Sequence, residues 1–333
     1  MSKGSIVKRQ FKSTDFKSYI RESAKPALSI DTLETILTST PESHSVFEWQ
    51  ELVEPPKVSC DFRMPWDDPT QFETLDSLPN PLPFELFMER FVKRSRAKCK
   101  EECEHKQRTP GWHYARAFSI TASQFGAAVG HNKYLSRPGL LRSKINPHLH
   151  PVESSFAQWG VEHEVHAEEA FRAFLESRST GLFTIDHPNL LKHEDAPWVA
   201  CSPDGILTRR ETDQDGRHYD VLELIEYKAP AYYRNKVGHP YSKESYNVPR
   251  QYMDQIQGTM WLMRNYDVVQ GGRSIERCWF VVWQPHALYV THVPYLEAYA
   301  ESLMDHVKDF YMKDFVPGCI QEIHKGVESR KRK

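Results

Sequence analysis

The sequence has no run of about 20 apolar residues, the length needed to cross a bilayer. Its opening stretch, MSKGSIVKRQFKSTDFKSYI, lacks the apolar segment of a secretory leader. Both absences lead to the expectation of a soluble, intracellular protein of cytoplasm or nucleus, with no membrane partner. Clustered cysteines are missing too. The six, Cys60, Cys99, Cys103, Cys201, Cys278 and Cys319, are scattered, which suits a reducing compartment better than a disulfide scaffold. Cys99, Cys103 and His105 have the look of half a zinc site. No second ligand pair stands at the usual spacing, so thiols on a charged helix are the plainer reading. Nor is there an excess of either charge: 43 Lys and Arg against 45 Asp and Glu leave a formal net charge of -2. That excludes a protein that coats nucleic acid by bulk charge, and any such binding must come from a local basic groove. Internal repeats are absent.

What remains is ordinary globular composition, 39% hydrophobic and 26% charged over 333 residues. At roughly 100–200 residues per domain, this is two domains or one large domain with an extension. Residues 1–82 are rich in Pro, Ser, Thr and acids, with one short helix expected near Asp31–Leu37, and are expected to be an extension or accessory region. Residues 83–318 are expected to hold the main domain and residues 319–333 a basic tail, with its SRKRK end expected to be disordered. A helix is predicted from Pro83. Its charge run reads as a solvated face, with Lys93, Arg94, Arg96 and Lys98 as less favoured phosphate contacts. A turn is predicted at Pro110-Gly111. Thr121 or Ser123 is expected to cap a helix, and a long helix is expected over about Ser155–Ser177. Two strand-like runs follow, WVACSPDGILT and HYDVLELIEYKAP. Then come a helix over about Pro249–Arg264, a hairpin from CWFVVW and LYVTHV, and a helix over about Leu296–Phe310. This order gives an α/β or α+β core, a small mixed sheet flanked by helices.

The chemistry begins with Glu226 and Lys228. Two residues apart in a strand, they point to one face together with Leu222 and Leu224. A buried acid and base are costly without partners or a reaction to serve, although a strand end emerging into solvent would also explain them. Asp204 sits in Ser202-Pro203-Asp204-Gly205, which by itself reads as a turn. If the two strands are neighbours, it lies beside Glu226, and paired carboxylates suit a hard divalent cation. On a helix advancing about 100° per residue, Glu164 shares its face with Val161, Ala167, Phe171 and Leu175, while Glu168 lies nearer the edge. His163 and His166 read as surface residues. Gln255 groups likewise with Val248, Tyr252, Thr259 and Leu262. Each feature has a bland explanation, which their joint order strains.

Five blocks in this order resemble the lambda-type exonucleases, the YqaJ-like viral recombinase nucleases of the PD-(D/E)XK superfamily. They are Trp112-His113 with Arg116 and Ile120–Ser123; Gly160–Glu164 with Ala167; Cys201–Gly205; Leu222–Lys228; and Tyr252–Gln257 with Met260-Trp261. The resemblance spans about residues 107–315 and implies a PD-(D/E)XK restriction-endonuclease-like core. By it, Glu164, Asp204, Glu226 and the Tyr227 carbonyl would hold Mg2+, with Mn2+ able to substitute, and Lys228 would orient or deprotonate the attacking water. Arg116, Ser123, Ser202 and Gln255 would bind a DNA 5′ phosphate. The implied activity is 5′-to-3′ exonuclease digestion of linear double-stranded DNA, leaving 3′ single strands for recombination or repair. A single-strand annealing protein and a trimeric ring are the implied partners, and a viral source is in keeping. The rival readings are an internal or structure-specific endonuclease of the same fold and a non-catalytic DNA-binding module. Two departures stand out. The first 80 residues have no counterpart in compact relatives, and Glu223 competes in register with Glu226, which alone has Lys two residues later. Between Lys228 and Gln255 the segment is expected to grip DNA, with Lys236, Lys243 and Arg250 as candidates.

Overall fold

Alternation of apolar residues in four segments builds the central sheet. In the computed structural model these are β6 (Gly205–Thr212), β7 (His218–Lys228), β8 (Arg277–Gln284) and β9 (Ala287–Pro294). The structure describes residues 34–36, 63–93, 110–149, 155–178, 182–192, 196–212, 214–236, 238–264 and 275–332. Apart from Glu34 they all belong to one compact unit, residues 35–333. With β1 (Glu34–Ile36) and β3 (Phe183–Asp186), the strands order as β1-β9-β8-β7-β6-β3. β7 and β8 run parallel, while β3–β6, β6–β7 and β8–β9 are antiparallel, so the sheet is mixed as expected. The hairpin from Arg277 to Pro294 is present.

One sheet face is covered by α5 (Glu164–Ser177), whose Ala167, Phe171 and Leu175 bury against Ile185, Leu207, Ile225, Tyr227 and Val281. The opposite face presents Leu224, Glu226 and Phe280, also buried. Tyr252 of α6 (Arg250–Arg264) lies 6.0 Å from the Phe280 ring there. α6 packs closely on α2 (Ala122–Ala128). A Cβ built on Gly258 would stand 2.4 Å from Phe125 and one on Gly126 2.9 Å from Gln251. α2 is capped as anticipated: Thr121 and Gln124 form a reciprocal capping box.

Several expectations are corrected. Glu34–Ile36 is a strand at the sheet edge and not part of a helix; Thr35 and Ile36 are β-branched and favour extended backbone. Pro110-Gly111 does not turn the chain but starts α1 (Pro110–Ala117), because proline suits the first helical position, where its missing N–H costs nothing. The long helix is broken at His163 (φ -106°, ψ 4°), separating α4 (Ser155–Glu162) from α5. The His163 ring stacks on Trp159 and its Nδ1 donates to the Trp159 carbonyl at 2.9 Å. Val161 falls before the break, off the α5 stripe, and is 38% exposed. The run expected as one strand over residues 198–208 is two: β5 (Val199–Cys201) lies in a second sheet with β2 (Ile120–Thr121) and β4 (Leu191–Lys192). Ser202-Pro203-Asp204 crosses from that sheet to β6, and proline, unable to donate to a ladder, suits such a crossing. Helix α3 (Arg137–Ile145), capped by Ser136, went unforeseen.

Past α7 (Glu297–Phe310) the chain stays helical through Lys331, as α8 (Val316–Lys331), which takes in the first three residues of the SRKRK end that was expected to be disordered. Val316, Cys319 and Ile323 recur at helical spacing and are buried. Residues 63–82 pack on this helix: Arg330 pairs with Asp76 at 2.7 Å, and the Leu82 N–H donates to His324 Nε2 at 3.2 Å. Cys60, Cys99, Cys103 and His105, with Arg94, Arg96 and Lys98, lie outside the described residues. Cys201, Cys278 and Cys319 are buried free thiols. Among the described residues no helix is long and apolar enough to cross a membrane.

Candidate active site

The β6–β7 register decides where the acids meet. Gly205 pairs with Ile225, so Asp204, one residue before the strand, faces Glu226 across the ladder. Asp204 Oδ2 accepts from the Tyr227 N–H at 2.9 Å. Glu226 is 1% exposed. Its Oε1 accepts from Lys228 Nζ and, at 2.6 Å, from Gln255 Nε2, so α6 delivers a half-buried amide to the same carboxylate. Glu164 opens α5 and lines a cavity of about 160 Å³ with Trp112, His187, Ser202, Pro203 and Asp204.

The electrostatics are those of crowded carboxylates. Burial pushes the Glu226 pKa up to about 8; Asp204 and Glu164 add to this and Lys228 opposes it. Burial acts to depress the Lys228 amine, but Glu226 and Asp204 outweigh it and hold its pKa above the ordinary value. Lys228 is therefore an ammonium in this arrangement, able to donate and to orient. Among the described residues no three His, Cys, Asp or Glu side chains converge closely enough to hold a metal as placed: Glu226 is turned onto Lys228, and Asp204 onto the β7 backbone. The donor chemistry nevertheless fits a hard divalent cation. It consists of oxygen ligands whose mutual repulsion a cation would relieve, with the Tyr227 carbonyl on the same strand.

The second half of the site is built by the small sheet. Ile120 pairs with Val199 and Thr121 with Ala200 in parallel, which brings the start of α2 beside Ser202. Arg116 Nη2 donates to Thr121 Oγ1 at 3.0 Å, and Thr121 Oγ1 lies 3.4 Å from Ser123 Oγ. The Arg116 guanidinium lies 3.7 Å from the Trp112 ring centroid. It keeps partial access to solvent, yet burial lowers its pKa to about 10. Among the described residues no carboxylate pairs with it. The Ser202 hydroxyl is buried without a hydrogen-bond partner. A desolvated guanidinium and an unsatisfied hydroxyl are donors in search of an acceptor.

Sequence reasoning missed three contributors. His187 Nδ1 donates to the Asp204 carbonyl at 2.8 Å while its Nε2 lies 3.2 Å from Glu168. Thr121 was read only as a cap. Lys144 Nζ donates to the carbonyls of Arg116 and Ser119 at 2.9 and 2.8 Å, and burial, followed by repulsion from Arg116, lowers its pKa to about 7. His187 and Lys144 act through contacts distant in sequence, which no local spacing reveals, whereas the contacts of Thr121 with Arg116 and Ser123 are local and its capping role masked them. Glu168, the rival to Glu164, pairs with Arg172 at 2.7 Å. Glu223, the rival to Glu226, lies on the opposite sheet face with Arg209, Arg277 and Trp279.

No curated protein sequence matches the chain. Among solved structures it is similar to the alkaline exonuclease LHK-Exo from Laribacter hongkongensis, with 22% identity over 67% of this chain and 97% of that one and a TM-score of 0.43. It is also similar to the Shutoff and Exonuclease Protein of Kaposi's sarcoma-associated herpesvirus, with 13% identity over 75% and 84% of the two chains and a TM-score of 0.41. Residues 111–264, a span that holds every site residue from Arg116 to Gln255, match the YqaJ-like viral recombinase domain, the family that the five sequence blocks resemble.

Proposed function

We propose that the protein is a divalent-metal-dependent deoxyribonuclease that digests one strand of linear duplex DNA from a 5′-phosphorylated end. The observation that carries this reading is the pairing of two sites across one tripeptide. Asp204 faces Glu226 across the ladder, while Ser202, two residues earlier, keeps its hydroxyl buried and unsatisfied and lines one cavity with Glu164 and with Trp112, the ring against which Arg116 lies. A phosphate held at Arg116, Ser123, Ser202 and Gln255 would place a neighbouring phosphodiester near the carboxylates. Glu164, Asp204, Glu226 and the Tyr227 carbonyl are the groups that would hold Mg2+, with Mn2+ as a substitute. A bound cation supplies Lewis acidity and a more acidic water. Lys228 donates to and orients the attacking water, since its carboxylate neighbours keep it protonated. Arg116 grips the terminal phosphate with a planar fork that lysine cannot reproduce.

By the family resemblance, the product strand would pass to a single-strand annealing protein, and the working form would be a ring around DNA. The test uses end-labelled linear duplex and closed circular duplex with Mg2+. Nucleotides should leave the 5′-phosphorylated end of the linear form only, and chelator and Lys228→Ala should each abolish release. Arg116→Lys should narrow the preference for 5′ phosphate over 5′ hydroxyl by about tenfold or more, the worth of a charge-assisted contact. Equal cutting of the circle would establish the internal-cutting endonuclease instead. Undiminished release by Lys228→Ala would remove the site assignment.

A further inference from the structure

Next to Glu164 the surface carries rings that the cutting chemistry does not use. Trp159 stacks on His163 with ring centroids 3.7 Å apart, and Trp283 lies 5.5 Å from His163 and 5.6 Å from His166. The Arg234 guanidinium stands 5.4 Å from the Trp159 centroid. Along the same loop Lys236 Nζ lies 3.6 Å from the Tyr232 centroid, and Tyr232 is 64% exposed. The loop is held in place, because Gln284 Nε2 donates to the Tyr233 carbonyl at 3.1 Å and His286 Nε2 to the Lys236 carbonyl at 2.8 Å. Rings also connect it to the acids. Tyr232, Tyr233, Tyr241 and Tyr252 follow one another at 5.1, 5.9 and 6.0 Å, and Lys228 Nζ lies 5.1 Å from the Tyr252 centroid.

A core-forming patch would exclude cations, and a solubilising patch would not display flat rings. Rings interleaved with Arg and Lys match a polymer that alternates flat bases with phosphates. A duplex hides its base faces, while an unpaired strand exposes them. We infer that this surface binds single-stranded DNA, with bases stacked on Tyr232 and against the Trp159, His163 and Trp283 rings and with phosphates on Arg234 and Lys236. The inference rests on the nuclease reading for its biological setting, since the surface begins beside Glu164, but its test does not depend on cleavage.

In chelator, where nothing is cut, fluorescence anisotropy would compare a labelled oligothymidylate of about a dozen nucleotides with an abasic strand of equal length and charge. The wild-type protein should bind the base-bearing strand about tenfold more tightly, the scale of one or two stacked bases. Tyr232→Ala should remove most of that preference and Tyr232→Phe should keep it. Lys236→Ala should weaken both strands alike and flatten the salt dependence. Tyr232 is exposed, so its variants test the surface without emptying a core, and circular dichroism would verify that they fold. Equal wild-type affinity for the two strands would overturn the inference. So would a Tyr232→Ala protein that retains the preference, or one whose binding of blunt duplex falls while its single-strand binding does not. A wild-type protein that binds as expected but never cuts would sink the nuclease reading and leave this one standing.

Discussion

Glu223 and Glu226 sit three residues apart on β7, both buried, on opposite faces of the sheet. Burial works against ionisation of each, but their partners differ. Trp279, Arg277 and Arg209 outweigh it at Glu223 and hold that carboxylate below its ordinary pKa. At Glu226 burial and Asp204 prevail over Lys228, and the pKa rises to about 8. One acid is satisfied by structure, and the other is kept under tension, as reactive groups are. Glu223→Gln should therefore cost about 1–3 kcal/mol, because it leaves two guanidinium groups less well paired, while retaining cleavage. Glu226→Gln should cost little stability and lose cleavage. Urea midpoints together with release of end label would check this, and two variants alike in both readouts would refute the distinction. In the sequence the two glutamates differ only in that Glu226 has Lys two residues later. That clue was legible, but the guanidinium partners of Glu223, contributed by β6 and β8, were not.

At the scale of elements, periodicity revealed what is locally patterned. The β8–β9 hairpin, α6, α7 and the capped start of α2 need only neighbouring residues to specify them. The break at His163 and the sheet change at Pro203 arise from contacts a one-dimensional pattern lacks, and α8 was obscured by its charged end. The α2–α6 packing is similarly hidden. Two glycines permit it, and through it Gln255 reaches Glu226 while Ser123 stays beside Thr121. Gly258→Ala should overpack the contact with Phe125 and destabilise the fold by about 1–3 kcal/mol. It should also weaken cleavage, because α6 would be displaced from β7. A thermal midpoint equal to the wild type would show that the phenyl ring yields freely.

At the scale of the whole molecule, buried titratable groups set the pH response. Burial lowers the His239 pKa to about 4; its Nδ1 accepts from the Tyr241 N–H at 3.1 Å, leaving Nε2 to carry the proton of the neutral ring. The folded pKa lies below the unfolded value near 6.5, so the unfolded chain takes up the proton first. The stability from keeping His239 neutral is present above about pH 6.5 and is lost as pH falls toward 4. Glu226, raised in the fold, acts with the opposite sign between about pH 4.5 and 8, so the two partly cancel in the total. The informative quantity is the difference between wild type and His239→Asn in urea unfolding, which should shrink as pH drops from 7 to 4.5. A pH-independent difference would exclude the histidine as a contributor. The crossing at Ser202-Pro203-Asp204 has a further consequence. The unsatisfied Ser202 hydroxyl and the Asp204 carboxylate that faces Glu226 are tied at a fixed spacing by one rigid residue, Pro203. On the proposed reading this tripeptide is a gauge: it sets how far from the anchored end the backbone is severed, and hence the size of each fragment released.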